Sequence, residues 1–220
     1  MNPDNLDIQE SSRYSLEMEL RRSVGLMLLK PDTINLGVEE FIINLVTTNM
    51  IGRGGQLSIV KMIDGITDDQ LQYIYPTLAP HYFRALSRLM IEQPSVLLVF
   101  VSSSANNEGE RIDLWEALTA IKGKVDPTRS KGFNEGVRSA IPIPGRIGIF
   151  NRISSILQSG EDLSETDYLE LVQNLAHTPE NIHEFAGLLQ LLSLEEITEL
   201  ASEIQVTISL LPIYLQRRGL

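Results

Sequence analysis

The chain is predicted to be an α+β protein: a ferredoxin-like β-α-β-β-α-β antiparallel sheet with covering helices, followed by an all-α C-terminal extension. Three observations predict it. Four segments, Val24–Leu29, Leu57–Ile63, Val96–Val101 and Arg146–Ile156, carry strand signatures, being short runs that are wholly apolar or alternate. Helical periodicities fall between them in the order that this plan requires. After Gly160 the texture changes to acidic amphipathic segments opened by helix N-cap residues. The expected divisions are 1–22, a tail and short helix; 23–160, the sheet domain; and 161–220, an acidic helical domain.

Each element has its own signal. Residues 1 to about 14 read as a polar tail, with Ser15 capping a short helix to Arg22. Val24–Leu29 is apolar throughout and stops at Lys30-Pro31-Asp32; proline does not continue a central strand, so a lysine is left at the strand's C-terminal edge. Val38, Phe41, Ile42, Leu45 and Val46 recur at helical spacing. The exit N-M-I-G-R-G-G-Q lacks the Lys-Ser of a P-loop and precedes a strand, so it reads as a helix-to-strand loop. Thr67 opens a helix, and Tyr73, Tyr75, His81, Tyr82 and Phe83 fall in an aromatic helical hairpin that continues through Leu86 and Met90. Pro94–Val101 has the β-branched content of a sheet centre. Trp115 and Leu118 mark a helix closed by Gly123, and an irregular segment through Arg138 leads to Arg146–Ile156, the expected fourth strand.

Beyond it, Tyr168, Leu171, Val172, Leu175 and Ala176 describe an amphipathic helix capped by Ser164. T-P-E-N-I-H-E-F is expected to start the next helix, with Thr178 as N-cap and Pro179 at the first helical position, and Ser193 with Glu196 forms a capping box.

Composition excludes several classes of function. Hydrophobic residues make up 43% of 220, enough for a core. Of the net charge of −11, Ser154–Leu220 carries −9, from 11 acids and 2 bases. That third would repel nucleic acid. The absence of cysteine removes disulfides, thiolate zinc sites and thiol nucleophiles. No apolar run reaches membrane-spanning length and the first ten residues lack signal-peptide features, so a soluble cytoplasmic protein is expected. His177 and His183, with Glu180 and Glu184, lack the i, i+4 spacing that puts two imidazoles on one helix face, so no metal site is expected. The leucines between 188 and 200 read as a bundle core whose apolar face could also dock a second subunit or partner helix.

Lys30-Pro31-Asp32 between a strand and the helical D-T-I-N-L-G-V-E-E-F resembles the opening of the nucleoside diphosphate kinases, and the likeness spans roughly Ser23 to Glu165. P-S-V-L-L-V-F-V resembles that family's G-P-V-V-A-M-V-W strand, K-G-K-V-D-P-T-R-S its G-x-T-x-P segment, and G-V-R-S its T-I-R-G. The resemblance implies that Lys30 lies beside bound phosphates, that Arg138 clamps them, that Tyr75 or Tyr73 contacts them, and that Tyr82 or Phe83 stacks on a base. ATP with Mg²⁺ would be the ligand of a retained site. The chain departs from the pattern at Thr119, where the family has an arginine, and at Val125, where it has a threonine; each change removes a phosphate-binding group. Lys122, Lys124, Arg129 and Lys131 offer either compensating positive charge or a solvated face.

The family's N-x-x-H-G-S motif carries the histidine that accepts the γ-phosphoryl group, and two registers compete for it. N-R-I-S-S matches Asn151 and Ser154 and lacks the nucleophile; N-L-A-H-T matches Asn174 and His177 and keeps it. The first is favoured because 147–156 reads as the required strand. The family also orients its histidine with a glutamate eleven residues on, and that count reaches Glu165 from Ser154 but Leu188 from His177. A serine there is a poor nucleophile without an adjacent base.

The expectation is therefore a kinase-like protein without a catalytic residue, binding nucleotide through Lys30, Tyr75, Arg138 and Asn151 or serving as a scaffold. It is expected to form a homo-oligomer and to take a protein partner through its acidic helices. The alternatives are an active kinase that transfers the γ-phosphate of ATP through phospho-His177, and a purely structural interaction protein.

Overall fold

The computed structural model describes residues 17–102, 112–124, 136–141 and 145–204. The expectations for residues 1–16, Val125, Arg129 and Lys131 lie outside these.

A helix over 17–23 (α1) leads into β1 (Val24–Leu29). The chain continues through α2 (Pro31–Asn35), α3 (Glu39–Ile51), β2 (Gly55–Ile63), α4 (Asp68–Ile74), α5 (Pro80–Met90) and β3 (Ser95–Ser102). There follow α6 (Leu114–Lys122), α7 (Val137–Ala140), α8 (Arg146–Ser159), α9 (Glu165–Val172), β4 (Ala176–His177), α10 (Ile182–Leu189) and α11 (Leu194–Ile204). The four strands form one antiparallel sheet in the order β2-β3-β1-β4. This is the α+β, ferredoxin-like architecture expected, with helices following the last strand.

β1 and β3 lie at the centre, paired from Val24↔Val101 to Leu29↔Val96, and their apolar runs are explained by burial on both faces. Successive side chains alternate across the sheet. Leu26, Leu28, Leu97 and Val99 enter one core with Trp115 and Phe185, whereas Met27, Leu29, Leu98 and Phe100 enter another with Ile42, Val46 and Leu118. Leu26 and Leu28 are fully enclosed, worth about 1.5–3 kcal/mol each. Trp115 stacks on Phe185 at 4.8 Å and donates Nε1–H to the Val24 carbonyl at 2.8 Å, tying α6 to the start of β1. α10 packs closely on α4: a Cβ added at Gly187 would lie 2.4 Å from the Tyr73 carbonyl oxygen.

The capping signals at Thr67, Ser164 and Ser193 are all realised, each with its partner three residues on.

Three expectations are corrected. Arg146–Ile156 is not the fourth strand but most of the 14-residue helix α8. Its inward residues, Arg146, Ile149, Phe150, Ile153 and Ile156, recur at helical spacing, and left-handed glycines at 145 and 160 bracket it. Ile147-Gly148-Ile149 imitated alternation because glycine contributes no side chain.

The fourth strand is instead Ala176–His177, paired with Leu28 and Leu29 of β1. α9 ends at Val172, and Leu175 takes a left-handed φ of 69° that turns the chain onto the sheet; the helical spacing continued past the helix end by coincidence. A boundary at 160 therefore cuts the sheet, because 161–220 supplies its last strand.

Thr178 is not the cap of the next helix. Asn181 is, accepting the N–H groups of His183 and Glu184 through its side chain, so Pro179 precedes the helix.

Candidate functional site

The site begins where β1 stops. Pro31 turns the chain away from the sheet at Lys30, and the turn that follows receives Leu175: its N–H donates to Asp32 Oδ2 at 2.8 Å, and its carbonyl accepts from Thr33 Oγ1 and from the Lys30 N–H, both at 2.8 Å. These bonds hold a non-glycine residue at positive φ, a conformation that costs about 1–3 kcal/mol and persists only when its surroundings over-determine it.

Lys30 is buried, 3% exposed, and its Nζ donates to the Val172 carbonyl and to Asn174 Oδ1, both at 2.9 Å. Arg138, on α7, donates Nε–H to the Asn174 carbonyl at 2.8 Å and Nη1–H to the Gly123 carbonyl at 3.1 Å. Its Nη2 reaches Asn174 Oδ1 at 2.9 Å and the Ala176 carbonyl at 2.7 Å. Asn174 thus bridges the two cations. Burial, opposed by Asp32 and aided by Arg138, Lys122 and Arg146, brings the Lys30 ammonium down to about 7. Burial with Arg146 nearby lowers Arg138 to about 10, and burial with Arg138 nearby lowers Lys122 to about 8.

His177 sits in β4 opposite Leu28. Its ring lies 4.4 Å from that of Tyr75, centroid to centroid, and its Nε2 is buried, without a hydrogen bond, 3.6 Å from Glu184 Oε2. Burial first, then the positive charges of Lys122, Lys30 and Arg138, push the imidazole well below its ordinary range, so it is neutral at pH 7. The Tyr75 hydroxyl and Asp32 Oδ1 are also buried without hydrogen-bond partners, and burial pushes the Tyr75 phenol up. A neutral imidazole beside concentrated positive charge suits nucleophilic chemistry on an anion.

Of the residues singled out in the sequence, Lys30, Tyr75, Arg138 and His177 come together. Asn151 and Ser154 do not join them: both are exposed on α8. The asparagine beside the cations is Asn174, from the other register. Thr119 Oγ1 lies 3.0 Å from Thr178 Oγ1, joining α6 to the chain after β4. Tyr82 packs edge-on against Tyr168 of α9 at 4.9 Å. Sequence reasoning weighed Glu184 only as a metal ligand and missed its place beside His177; the available signal was its position in the first turn after the Asn181 cap, close behind β4. A cavity of about 1050 Å³ adjoins Arg138 and is lined also by Lys122, Thr119 and Glu180; Lys30 and His177 are not on its wall.

No family model matches the chain, and no curated protein matches it by sequence. Solved structures do. A nucleoside diphosphate kinase from Borrelia burgdorferi, bound to vanadate and ADP as a transition-state mimic, aligns over 79% of this chain and 88% of its own, with TM-score 0.53 and 12% identity. The Aquifex aeolicus nucleoside diphosphate kinase aligns over 79% and 97%, with TM-score 0.49 and 16% identity. At such identity the likeness to the Borrelia enzyme establishes the fold alone. Among the described residues, no helix is long and apolar enough to cross a membrane.

Proposed function

We propose that this chain is a phosphotransferase of the nucleoside-diphosphate-kinase kind acting through His177. ATP would donate its γ-phosphoryl group to the neutral imidazole: the bond from the γ-phosphorus to the bridging oxygen breaks, a P–N bond forms and ADP leaves. A nucleoside diphosphate then takes the group by the reverse step. One observation carries the reading: the fourth strand brings an imidazole, not a hydroxyl, into the buried cluster that holds Lys30 and Arg138. The case for a lost nucleophile rested on a strand at 147–156, which is helical, and on the glutamate count, which still reaches Glu165 from Ser154 and Leu188 from His177.

In this proposal Lys30 and Arg138 hold the phosphates, Tyr75 backs the imidazole and Asn174 takes the role expected of Asn151. Catalysis rests on positioning and on charge complementary to the transferred group. In this reading Mg²⁺ would accompany the nucleotide's phosphates. Assembly into a homo-oligomer belongs to the same proposal, supported by β2, an edge strand whose Val60 and Met62 are 51% and 54% exposed. So does a protein partner on the acidic helices, supported by exposed Glu165, Glu195 and Glu199.

A second reading, a non-catalytic nucleotide-binding or scaffold protein, is favoured by a different observation. The chain's own acceptors at Val172, Asn174, Ala176 and Gly123 already engage Lys30 and Arg138, and a phosphate must displace them. Incubation with γ-labelled ATP separates the two. The first predicts acid-labile, base-stable label that is absent from His177→Ala and passes to added nucleoside diphosphate. Measurable ATP binding without label would overturn it in favour of the second. Failure to bind any nucleotide would leave only a structural role.

A further inference from the structure

We propose that α9 is an autoinhibitory cover: its C-terminal carbonyl occupies Lys30 in place of an anionic ligand, and the helix must leave α5 before a polyphosphate chain can reach that lysine. The inference concerns regulation of the site described above and rests on the reading that Lys30 and Arg138 hold phosphates.

Val172 is the last residue of α9, and its carbonyl accepts from Lys30 Nζ at 2.9 Å. A helix C-terminus carries partial negative charge on its unpaired carbonyls, so α9 presents the ammonium with the electrostatic equivalent of a weak anion. The other bond of Nζ, to Asn174 Oδ1, lies two residues beyond the same helix end. Together they leave Lys30 only 3% exposed.

The cover is held by contacts that can be undone without dismantling a core. Asp167 and Val172 are the buried residues of α9, and Tyr168 and Leu169 are partly buried. Tyr168 sits against α5, its ring stacked on that of His81 at 5.4 Å and edge-on to Tyr82 at 4.9 Å. Glu165 pairs with Arg88 of α5 at 3.0 Å, the two side chains 55% and 62% exposed. Arg152 of α8 holds Asp167 and Glu170, and α8 itself buries only Arg146 and Ile153.

Hinge positions flank the helix. Upstream, Gly160 turns the chain at a left-handed φ of 77°; downstream, the exposed Gln173 has already left helical geometry. Just beyond, Leu175 stays pinned to Asp32 and Thr33. Such positions absorb the backbone change of a moving element, so α9 can lift while β4 keeps its register. A ligand that binds only the open form binds in proportion to the fraction open. Weakening the contacts of α9 with α5 must therefore strengthen binding.

Two measurements on the full chain test this. The first needs no ligand: acetylation of Lys30 by an N-hydroxysuccinimide ester at about pH 8, read by mass spectrometry. There the amine, lowered to about 7, is mostly unprotonated, so cover rather than charge limits its reaction. The second is calorimetric titration with inorganic tripolyphosphate, which has no base to touch the altered rings. Tyr168→Ala should raise acetylation and tripolyphosphate affinity together, about 10-fold. Arg88→Glu should raise both about 2–5-fold, and Arg88→Glu with Glu165→Arg should bring both back. Circular dichroism identifies a variant that fails to fold; were that Tyr168→Ala, the exposed charge swap carries the test alone. Acetylation that is unchanged in the loosened variants would show that α9 does not cover Lys30. Faster acetylation with unchanged or weaker tripolyphosphate affinity would show that cover and ligand do not compete. Either result overturns the proposal. Faster acetylation with no tripolyphosphate bound by any variant would overturn both the inhibition and the phosphotransferase reading, and the changed acetylation would distinguish that result from failure of the cover.

Discussion

Replacing Lys30 by methionine should remove a pH dependence that the wild type owes to one buried amine. Burial lowers this lysine from 10.5 to about 7 in the folded chain, whereas the unfolded chain keeps the ordinary value. Between those pH values the unfolded lysine binds a proton that the folded one does not, so stability rises with pH across the window and levels off at its lower value below about pH 7. At about 1.4 kcal/mol for each pH unit of difference, the whole window is worth roughly 5 kcal/mol, and the step from about pH 7 to 9 roughly 2 kcal/mol. Against a domain stability of about 5–15 kcal/mol this is readily measured. Lys122 titrates nearby, at about 8, but it is present in both proteins and largely cancels in the difference. Urea unfolding midpoints from about pH 6 to 9.5 test the argument. Wild-type stability should climb relative to Lys30→Met by roughly 2 kcal/mol between about pH 7 and 9. Parallel curves would refute the claim that Lys30 gives up its proton on folding. Methionine also takes the ammonium donor from the Val172 carbonyl, an offset of about 1–3 kcal/mol that does not change with pH, while Asn174 Oδ1 keeps its bond from Arg138 Nη2.

Gly187→Ala should lose about 1–3 kcal/mol by overpacking, because its Cβ would meet the Tyr73 carbonyl at 2.4 Å; an unchanged melting temperature would contradict the close packing of α10 on α4. Val60→Lys with Met62→Lys should convert the proposed homo-oligomer to monomer in light scattering without changing the circular dichroism, since both side chains are already half exposed. An oligomer that survives would place its interface elsewhere.

The two inner strands were legible because their signals are unambiguous. Val24–Leu29 and Val96–Val101 are apolar along their whole length, as strands covered on both faces must be, and Lys30-Pro31 ends the first with chemistry that only an edge tolerates. The fourth strand was not legible. It contains two residues, too few for any periodicity, and its conformation is imposed from outside by the bonds of Leu175 to Asp32, Thr33 and Lys30.

That tertiary constraint also explains why the wrong register looked better. Ile147 to Ile156 had enough β-branched residues to compete, and the glutamate count favoured Ser154 because position 188 is leucine. The carboxylate near His177 comes from a different turn of α10, a relation that appears only once the helix is folded against the strand.

The central claim, that His177 receives a phosphoryl group between Lys30 and Arg138, is met most directly by mapping. The full chain is incubated with ATP and Mg²⁺, digested at neutral to alkaline pH so that phosphohistidine survives, and its peptides are sequenced by mass spectrometry. The modification is expected on His177 and on no hydroxyl residue. An unmodified His177 in protein that binds ATP, or a phosphate found on Ser154 instead, would contradict the account.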